Sequence, residues 1–186
     1  KKPPLKPKIL YALQGTGNGH IARAREIIPI LQKHCEVDVW LSGNQSEVAL
    51  PVAPKYKMRG LVLFYNKNGG VSYVKTVLRN NFFVALKEIW QAPVKDYDIV
   101  FNDFEFTTAR ASRFRKVRCV QLSHQGAFKW IDSPRPNSKN WLGEIILKYY
   151  SGGQECYGFH FYPYHSNIFP PVIRTEIREA RPQNKG

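Results

Sequence analysis

The sequence predicts an α/β fold, an open and mainly parallel sheet flanked by helices, and three observations carry that expectation. Short apolar runs recur along the chain with helical stretches between them, the pattern of strand-helix-strand units. Several runs are apolar on successive residues, as strands covered on both faces require. The first run, Lys8 to Leu13, leads into Gln14-Gly15-Thr16-Gly17-Asn18-Gly19-His20, which reads as strand, phosphate-sized loop and helix. At 186 residues the chain suits one domain, and a chain of this size buries roughly 70% of its unfolded surface.

Taken in order, the expected strands are Ile9 to Leu13, Val37 to Leu41, Leu61 to Phe64, Ile99 to Asn102, Cys119 to Leu122 and Tyr157 to Phe161. Helices fill the gaps. After the glycine loop, Ile21, Ala24, Ile28 and Leu31 share one helical face, and Pro29 bends that helix or marks its weak point. Asn66 to Gly70 is a loop. It leads to the longest expected helix, Ser72 to about Gln91, where Val74, Val77, Leu78, Phe82, Ala85, Leu86 and Ile89 repeat at three and four residues. Phe83 and Trp90 widen its apolar face and Lys75, Arg79 and Lys87 flank it, so a core helix and a lipid-touching helix both fit. The apolar pattern stops after Ile177. Residues 1–176 are therefore expected to form the domain, with 177–186 beginning a linker within a longer protein.

No run approaches the ~20 apolar residues of a membrane span, and Lys1 to Pro7 lacks the apolar core of a signal peptide. The expectation is a soluble intracellular protein. Cys35, Cys119 and Cys156 are odd in number and far apart, which indicates neither a disulfide framework nor a zinc site. The net charge of +14 must attract something acidic: nucleic acid, an anionic membrane face or phosphorylated substrates. No zinc-finger, basic-zipper or RNP signature is present, and the aromatics sit inside apolar runs such as Leu61 to Tyr65. No nucleic acid is expected; the charge reads as a field for phosphate or a membrane surface.

Glycine at 15, 17 and 19 permits positive φ and close approach to a ligand, while the helix starting near His20 presents unpaired N–H groups. The helix dipole adds about 0.3–1 kcal/mol for an anion there. A dinucleotide site would need an acidic residue after the second strand, which instead ends Trp40-Leu41-Ser42-Gly43-Asn44. A P-loop and a nucleophile-elbow serine are also absent.

The run Gly-Thr-Gly-Asn-Gly-His-Ile-Ala-Arg-Ala, residues 15–24, resembles the Rossmann-like N-terminal domain of GT-B glycosyltransferases, close to the MurG-like branch. The likeness continues through Ser42-Gly43, the segment Asp98 to Glu105, the pair His124-Gln125, and Pro170 to Arg174 as an exit strand. Asn18 stands where MurG proper has the first of two glycines, so the acceptor class stays open.

The resemblance implies a two-domain, inverting, metal-independent enzyme of hexosyltransferase type, whose acceptor-side half this is. A nucleotide-sugar donor, UDP-linked, would bind mainly to the absent C-terminal domain, leaving the isolated domain inactive; no metal or other cofactor is implied. His20 and Asp103 match the general base and the carboxylate that orients it. Glu105 is the alternative orienter. Gly15, Thr16, Gly17, Asn18, Gly19, Glu105, His124 and Gln125 are the expected substrate-binding residues, for a sugar or lipid-linked acceptor. A cytoplasmic place, peripheral on the inner face of an anionic membrane, goes with this reading.

The residues support the same pair independently, because ligands of open parallel sheets gather at the carboxyl ends of strands, where positions 20, 103 and 124 fall. A histidine can take a hydroxyl proton while a carboxylate on its other nitrogen fixes the tautomer. Two alternatives remain open: a non-catalytic acceptor-presenting or membrane-docking half of a split glycosyltransferase, and, more weakly, a nucleic-acid binder resting on the +14 charge.

Overall fold

The computed structural model describes residues 6–43, 49–67, 70–130, 132–135 and 140–181. The chain runs β1 (Lys8–Gln14), α1 (Asn18–Gln32), β2 (Glu36–Ser42), β3 (Tyr56–Met58), α2 (Tyr73–Arg79), α3 (Phe82–Gln91), β4 (Ile99–Asp103), α4 (Phe106–Arg115), β5 (Cys119–Ser123), α5 (Trp141–Tyr149), β6 (Glu155–Phe159), β7 (Ile168–Phe169) and α6 (Thr175–Arg178). The sheet order is β3-β2-β1-β4-β5-β6-β7, and every pairing is parallel. The expected α/β class is thus the observed one.

β1 lies inside the sheet with layers on both faces. Leu10 and Ala12 join Trp40, Val94, Val100 and Ala111 on one side, and Tyr11 and Leu13 join Ile21, Ala24, Ile28 and Val39 on the other. All are fully or almost fully buried, and each large aliphatic among them contributes about 1.5–3 kcal/mol. This double burial explains the unbroken apolar run. α1 continues for three residues past Pro29, which sits in its last turn.

Several expectations need correction. Leu61 to Phe64 is not a strand; the short third strand is Tyr56–Met58, at the sheet edge. The segment and the two residues before it are held largely by side chains. Arg59 and Gly60 N–H groups donate to the Glu88 carboxylate (2.9 and 2.8 Å), Val62 N–H to Asn80 Oδ1 (2.8 Å) and Phe64 N–H to Thr76 Oγ1 (3.1 Å). The Leu61 carbonyl accepts from Gln14 Nε2 (3.1 Å) and the Tyr150 hydroxyl.

The same contacts break the long helix expected over Ser72 to Gln91 into α2 and α3. Asn80 is extended at the break, its Nδ2 donating to the Val62 and Thr76 carbonyls (2.8 and 2.6 Å), and Asn81 caps α3 by accepting from Val84 N–H (3.1 Å). The expected strand at 157–161 is Glu155–Phe159, and the expected exit strand at 170–174 is replaced by Ile168–Phe169. The boundary expected between 176 and 177 falls inside α6, and residues 182–186 lie outside the described residues. Positive φ occurs at Gly43 and Gly60, and at none of Gly15, Gly17 or Gly19. No helix among the described residues is long and apolar enough to cross a membrane.

Asn80→Ala strands the partly buried N–H and C=O of Val62 and is expected to cost about 1–3 kcal/mol in urea denaturation, against under ~0.5 for the exposed Leu78→Ala.

Candidate active site

The in-register pairing of β1 with β2 and β4 brings three strand ends together: Gln14 lies beside Ser42, and Leu13 beside Asp103. The chain leaves β1 sharply, Gly15 N–H donating to the Ser42 carbonyl (2.7 Å). A Cβ at Gly15 would lie 2.7 Å from the Gly43 carbonyl oxygen, so this glycine is required by packing. At Gly17 and Gly19 a Cβ would meet nothing within 4 Å. Those two face open space. The N-cap of α1 is Gly17, which has no side chain with which to cap it, and its first turn carries His20.

The turn after β4 is held as rigidly. Phe104 takes a left-handed conformation (φ 56°), which costs a non-glycine residue about 1–3 kcal/mol. Asn102 closes it, donating from Nδ2 to the Glu105 carbonyl (2.7 Å) and accepting from Glu105 N–H (3.0 Å). Glu105 then caps α4: its carboxylate accepts from the N–H groups of Thr107 and Thr108, the Thr108 hydroxyl and the Ser42 hydroxyl, at 2.6–2.8 Å. It is entirely buried. The structure therefore gives Glu105 a structural position, not the substrate-binding or orienting one expected for it.

Asp103, also fully buried, is aimed at α1. Its Oδ1 lies 2.9 Å from His20 Nδ1 and accepts from Arg23 Nη2 at 2.7 Å; its Oδ2 accepts from Arg23 Nε at 3.0 Å. A carboxylate only accepts, so the His20 contact is a hydrogen bond when Nδ1 carries the proton. The Arg23 Nη2 to His20 Nδ1 approach of 3.1 Å is then a close contact without a bond. This tautomer leaves Nε2 as the basic nitrogen, with no partner among the described residues. The ring lies parallel to Phe104, 6.4 Å between centroids.

Burial acts to raise the Asp103 carboxyl, but the charges and hydrogen bonds of Arg23 and His20 outweigh it and hold it below its ordinary value. For Arg23, burial works against the charge and Asp103 more than restores it, so the guanidinium stays above its ordinary value. Tyr11, buried beneath them with no hydrogen-bond partner for its hydroxyl among the described residues, is held protonated first by burial and then by the Asp103 charge.

Thr16, Gly17, Gly19, His20, His124 and Gln125 line one cavity of about 420 Å³, with Arg23 and Tyr65 beside them. Six of the expected site residues thus converge, and Asp103 backs them from below. Gly15 is withdrawn into the packing, and Asn18 is the exposed first residue of α1. His124 Nδ1 lies 2.7 Å from the Phe159 carbonyl, which can only accept, so its Nε2 too is an acceptor. Gln125 Oε1 is buried and has no hydrogen-bond partner among the described residues. Sequence reasoning missed Arg23 and Tyr65. Arg23 carried a signal, since three residues after His20 it shares that face of α1.

The depressed Asp103 carboxyl adds stability that is complete above the ordinary carboxylate value of about 3.9 and lost as pH falls through the lowered value. Asp103→Asn leaves Arg23 uncompensated and is expected to cost about 3–5 kcal/mol at pH 7. Urea denaturation across pH should show the two proteins converging in acid.

The family described as Glycosyl transferase family 1 matches residues 7–186. No curated relative matches the chain. Among solved structures, the Streptomyces sp. SF2575 glycosyltransferase SsfS6 is similar with a TM-score of 0.46 and 15% identity, over 85% of this chain and 51% of that one. SsfS6 complexed with thymidine diphosphate gives 0.46 and 14%, over 89% and 53%. Acinetobacter baumannii MurG gives 0.42 and 10%, over 95% and 50%. The chain spans about half the length of these structures. With all but its first six residues inside the family match, the chain belongs to glycosyl transferase family 1.

Proposed function

We propose that the chain is the acceptor-side, N-terminal half of a GT-B-type inverting glycosyltransferase that uses His20 as general base. The observation that carries this reading is the 2.9 Å contact between His20 Nδ1 and the buried Asp103, beside an open cavity at the strand ends. His20 Nε2 accepts the proton of an acceptor hydroxyl as the oxygen forms a bond to the anomeric carbon. The bond from that carbon to the donor's diphosphate breaks on the opposite side, inverting the centre, and the diphosphate leaves with the electron pair. The proton remains on the imidazolium, stabilised by Asp103.

The donor in this reading is a UDP-linked hexose held mainly by a second half, so this half alone is inactive. The leaving charge is met by helix N-termini such as that of α1, without a metal ion. The membrane part of the reading rests on α2 and α3. They expose Val77, Leu78, Phe83 (85%) and Trp90 (79%) beside Lys75, Arg79 and Lys87, which suits peripheral docking on an anionic cytoplasmic membrane face.

In the full-length enzyme, His20→Ala is expected to lower kcat about 10²–10⁴-fold with an intact circular-dichroism spectrum. Unchanged turnover, or a comparable loss only in His124→Ala, would remove His20 as the base. Arg23→Gln is expected to lower kcat and move its pH profile, with partial rescue by Arg23→Lys, which keeps the charge but not the fork.

A further inference from the structure

After β6 the chain runs His160-Phe161-Tyr162-Pro163-Tyr164-His165, with an aromatic ring at every position but the proline. From Cys156 to Ile173 there is no Lys, Arg, Asp or Glu, although the chain as a whole carries +14. Phe161 is 87% exposed and Tyr162 64%. The rings form a connected array. His160 lies 5.0 Å from Tyr164 and 6.4 Å from Phe161 between centroids, and Tyr164 lies 5.1 Å from Tyr162. At the inner end His160 is stacked on His124, 6.1 Å away and within 9° of parallel, with Phe128 edge-on to both. His124 lines the cavity that contains His20, so the array runs from that cavity out to solvent.

The array is built into the fold. Two glycines let the turn after β5 press against β6: a Cβ at Gly126 would lie 2.7 Å from the Tyr157 carbonyl oxygen, and one at Gly158 would strike the backbone of Ala127. That approach sets His124 beside His160. The loop is held at both ends, His160 N–H donating to the Phe169 carbonyl (2.9 Å) and Gly158 N–H to that of Asn167 (2.9 Å), while His165 stacks on Trp130 at 3.7 Å. Within it His160 Nδ1 accepts from Tyr162 N–H (3.1 Å), so the neutral ring carries its proton on Nε2. The stacked pair thus offers a hydrogen-bond donor at His160 and an acceptor at His124.

We infer that these rings are a stacking subsite for a neutral saccharide, taking the sugar unit next to the one whose hydroxyl lies at His20. Resting on the acceptor-side reading, this makes the acceptor a glycan of at least two units. A pyranose has an apolar C–H face, which the electron-rich face of an aromatic ring attracts, and a rim of hydroxyls that both donate and accept. Tyrosine and histidine match both, with an apolar body and a polar edge, where aliphatic side chains match only the first. The uncharged stretch supplies no counterion for a phosphate or an anionic headgroup. In this it differs from the exposed faces of α2 and α3, which carry Lys75, Arg79 and Lys87.

The test is equilibrium binding, without donor, of neutral tetrasaccharides of the cello-, malto-, manno- and N-acetylchito- series, and of their monosaccharides, to the full-length protein. At least one tetrasaccharide is expected to bind about tenfold more tightly than its monosaccharide, and the double variant Phe161→Ala, Tyr162→Ala to lose that advantage. Phe161→Leu keeps the bulk without the ring face and should lose most of it with an unchanged thermal midpoint. Phe114→Ala, which removes an exposed ring from α4, should keep it. No advantage in any series, an advantage that survives in the double variant, or a loss confined to variants with a lowered midpoint overturns the subsite. Two other occupants give distinct results, and each also overturns it. Binding to phosphatidylcholine vesicles that is lost in the double variant, with no saccharide bound, assigns the rings to a bilayer; a lowered midpoint with no saccharide bound assigns them to contact with the rest of the protein. A chain-length advantage that persists while His20→Ala remains fully active would sink only the base assignment, whereas turnover that requires His20, with no chain-length advantage, would sink only the subsite.

Discussion

A carboxylate at the end of β4 with no access to water is the constraint on which the rest of the site depends. Removing Asp103 from solvent costs several kcal/mol unless a cation meets it with good geometry, and Arg23 does so through both Nε and Nη2. That fork sets the azimuth of α1 over the sheet. Once Arg23 is fixed, His20, one turn earlier on the same face, has its Nδ1 drawn to the remaining side of Oδ1. The left-handed Phe104 that aims the carboxylate is sustained in turn by Asn102 and by the capped start of α4. Fold and site are therefore not separable here: the interaction that orients the imidazole also seats a helix.

Strands buried on both faces were legible because double burial writes itself as an unbroken apolar run, as in Leu10 to Leu13 and Cys119 to Val120. Leu61 to Phe64 has the same composition and a different structure, because Val62 and Phe64 bond to the side chains of Asn80, between α2 and α3, and Thr76, on α2, while Glu88 of α3 holds Arg59 and Gly60 just before them. Local pattern carries no record of such partners. Asn80 misled in the complementary way: it sits within a helical repeat, yet its amide does more for Val62 than it could inside a helix. The edge strand Tyr56–Met58 is three residues long and only half-buried, so it has no pattern to read.

The site was more legible than its details. Strand ends converge by topology, so His20, Asp103, His124 and Gln125 could be placed from the chain alone. Roles depended on distances that the chain does not state. Glu105 and Asp103 both look like loop-end carboxylates, but one is consumed in capping α4 and the other faces α1. The glycines of the motif divide similarly, since Gly15 answers to a backbone contact while Gly17 and Gly19 leave space. The positive φ anticipated for that loop is found at Gly43 and Gly60, just after β2 and just after β3.

Two imidazoles border the same cavity with no partner for Nε2 among the described residues, and their other nitrogens distinguish them. The Nδ1 of His124 donates to a neutral carbonyl of Phe159, which fixes the tautomer but gives an imidazolium little. The Nδ1 of His20 meets a buried carboxylate that Arg23 also holds. In the proposed reaction that carboxylate gives His20, and not His124, an anionic partner for the proton it takes up. Arg23 adds a consequence that a histidine and carboxylate alone would not have. With Arg23 and Asp103 already balanced, uptake of the proton takes the cluster from neutral to one positive charge. In the proposed reaction that charge arises as the departing diphosphate gains negative charge, and it lies on the first turn of α1, where the helix dipole also favours an anion.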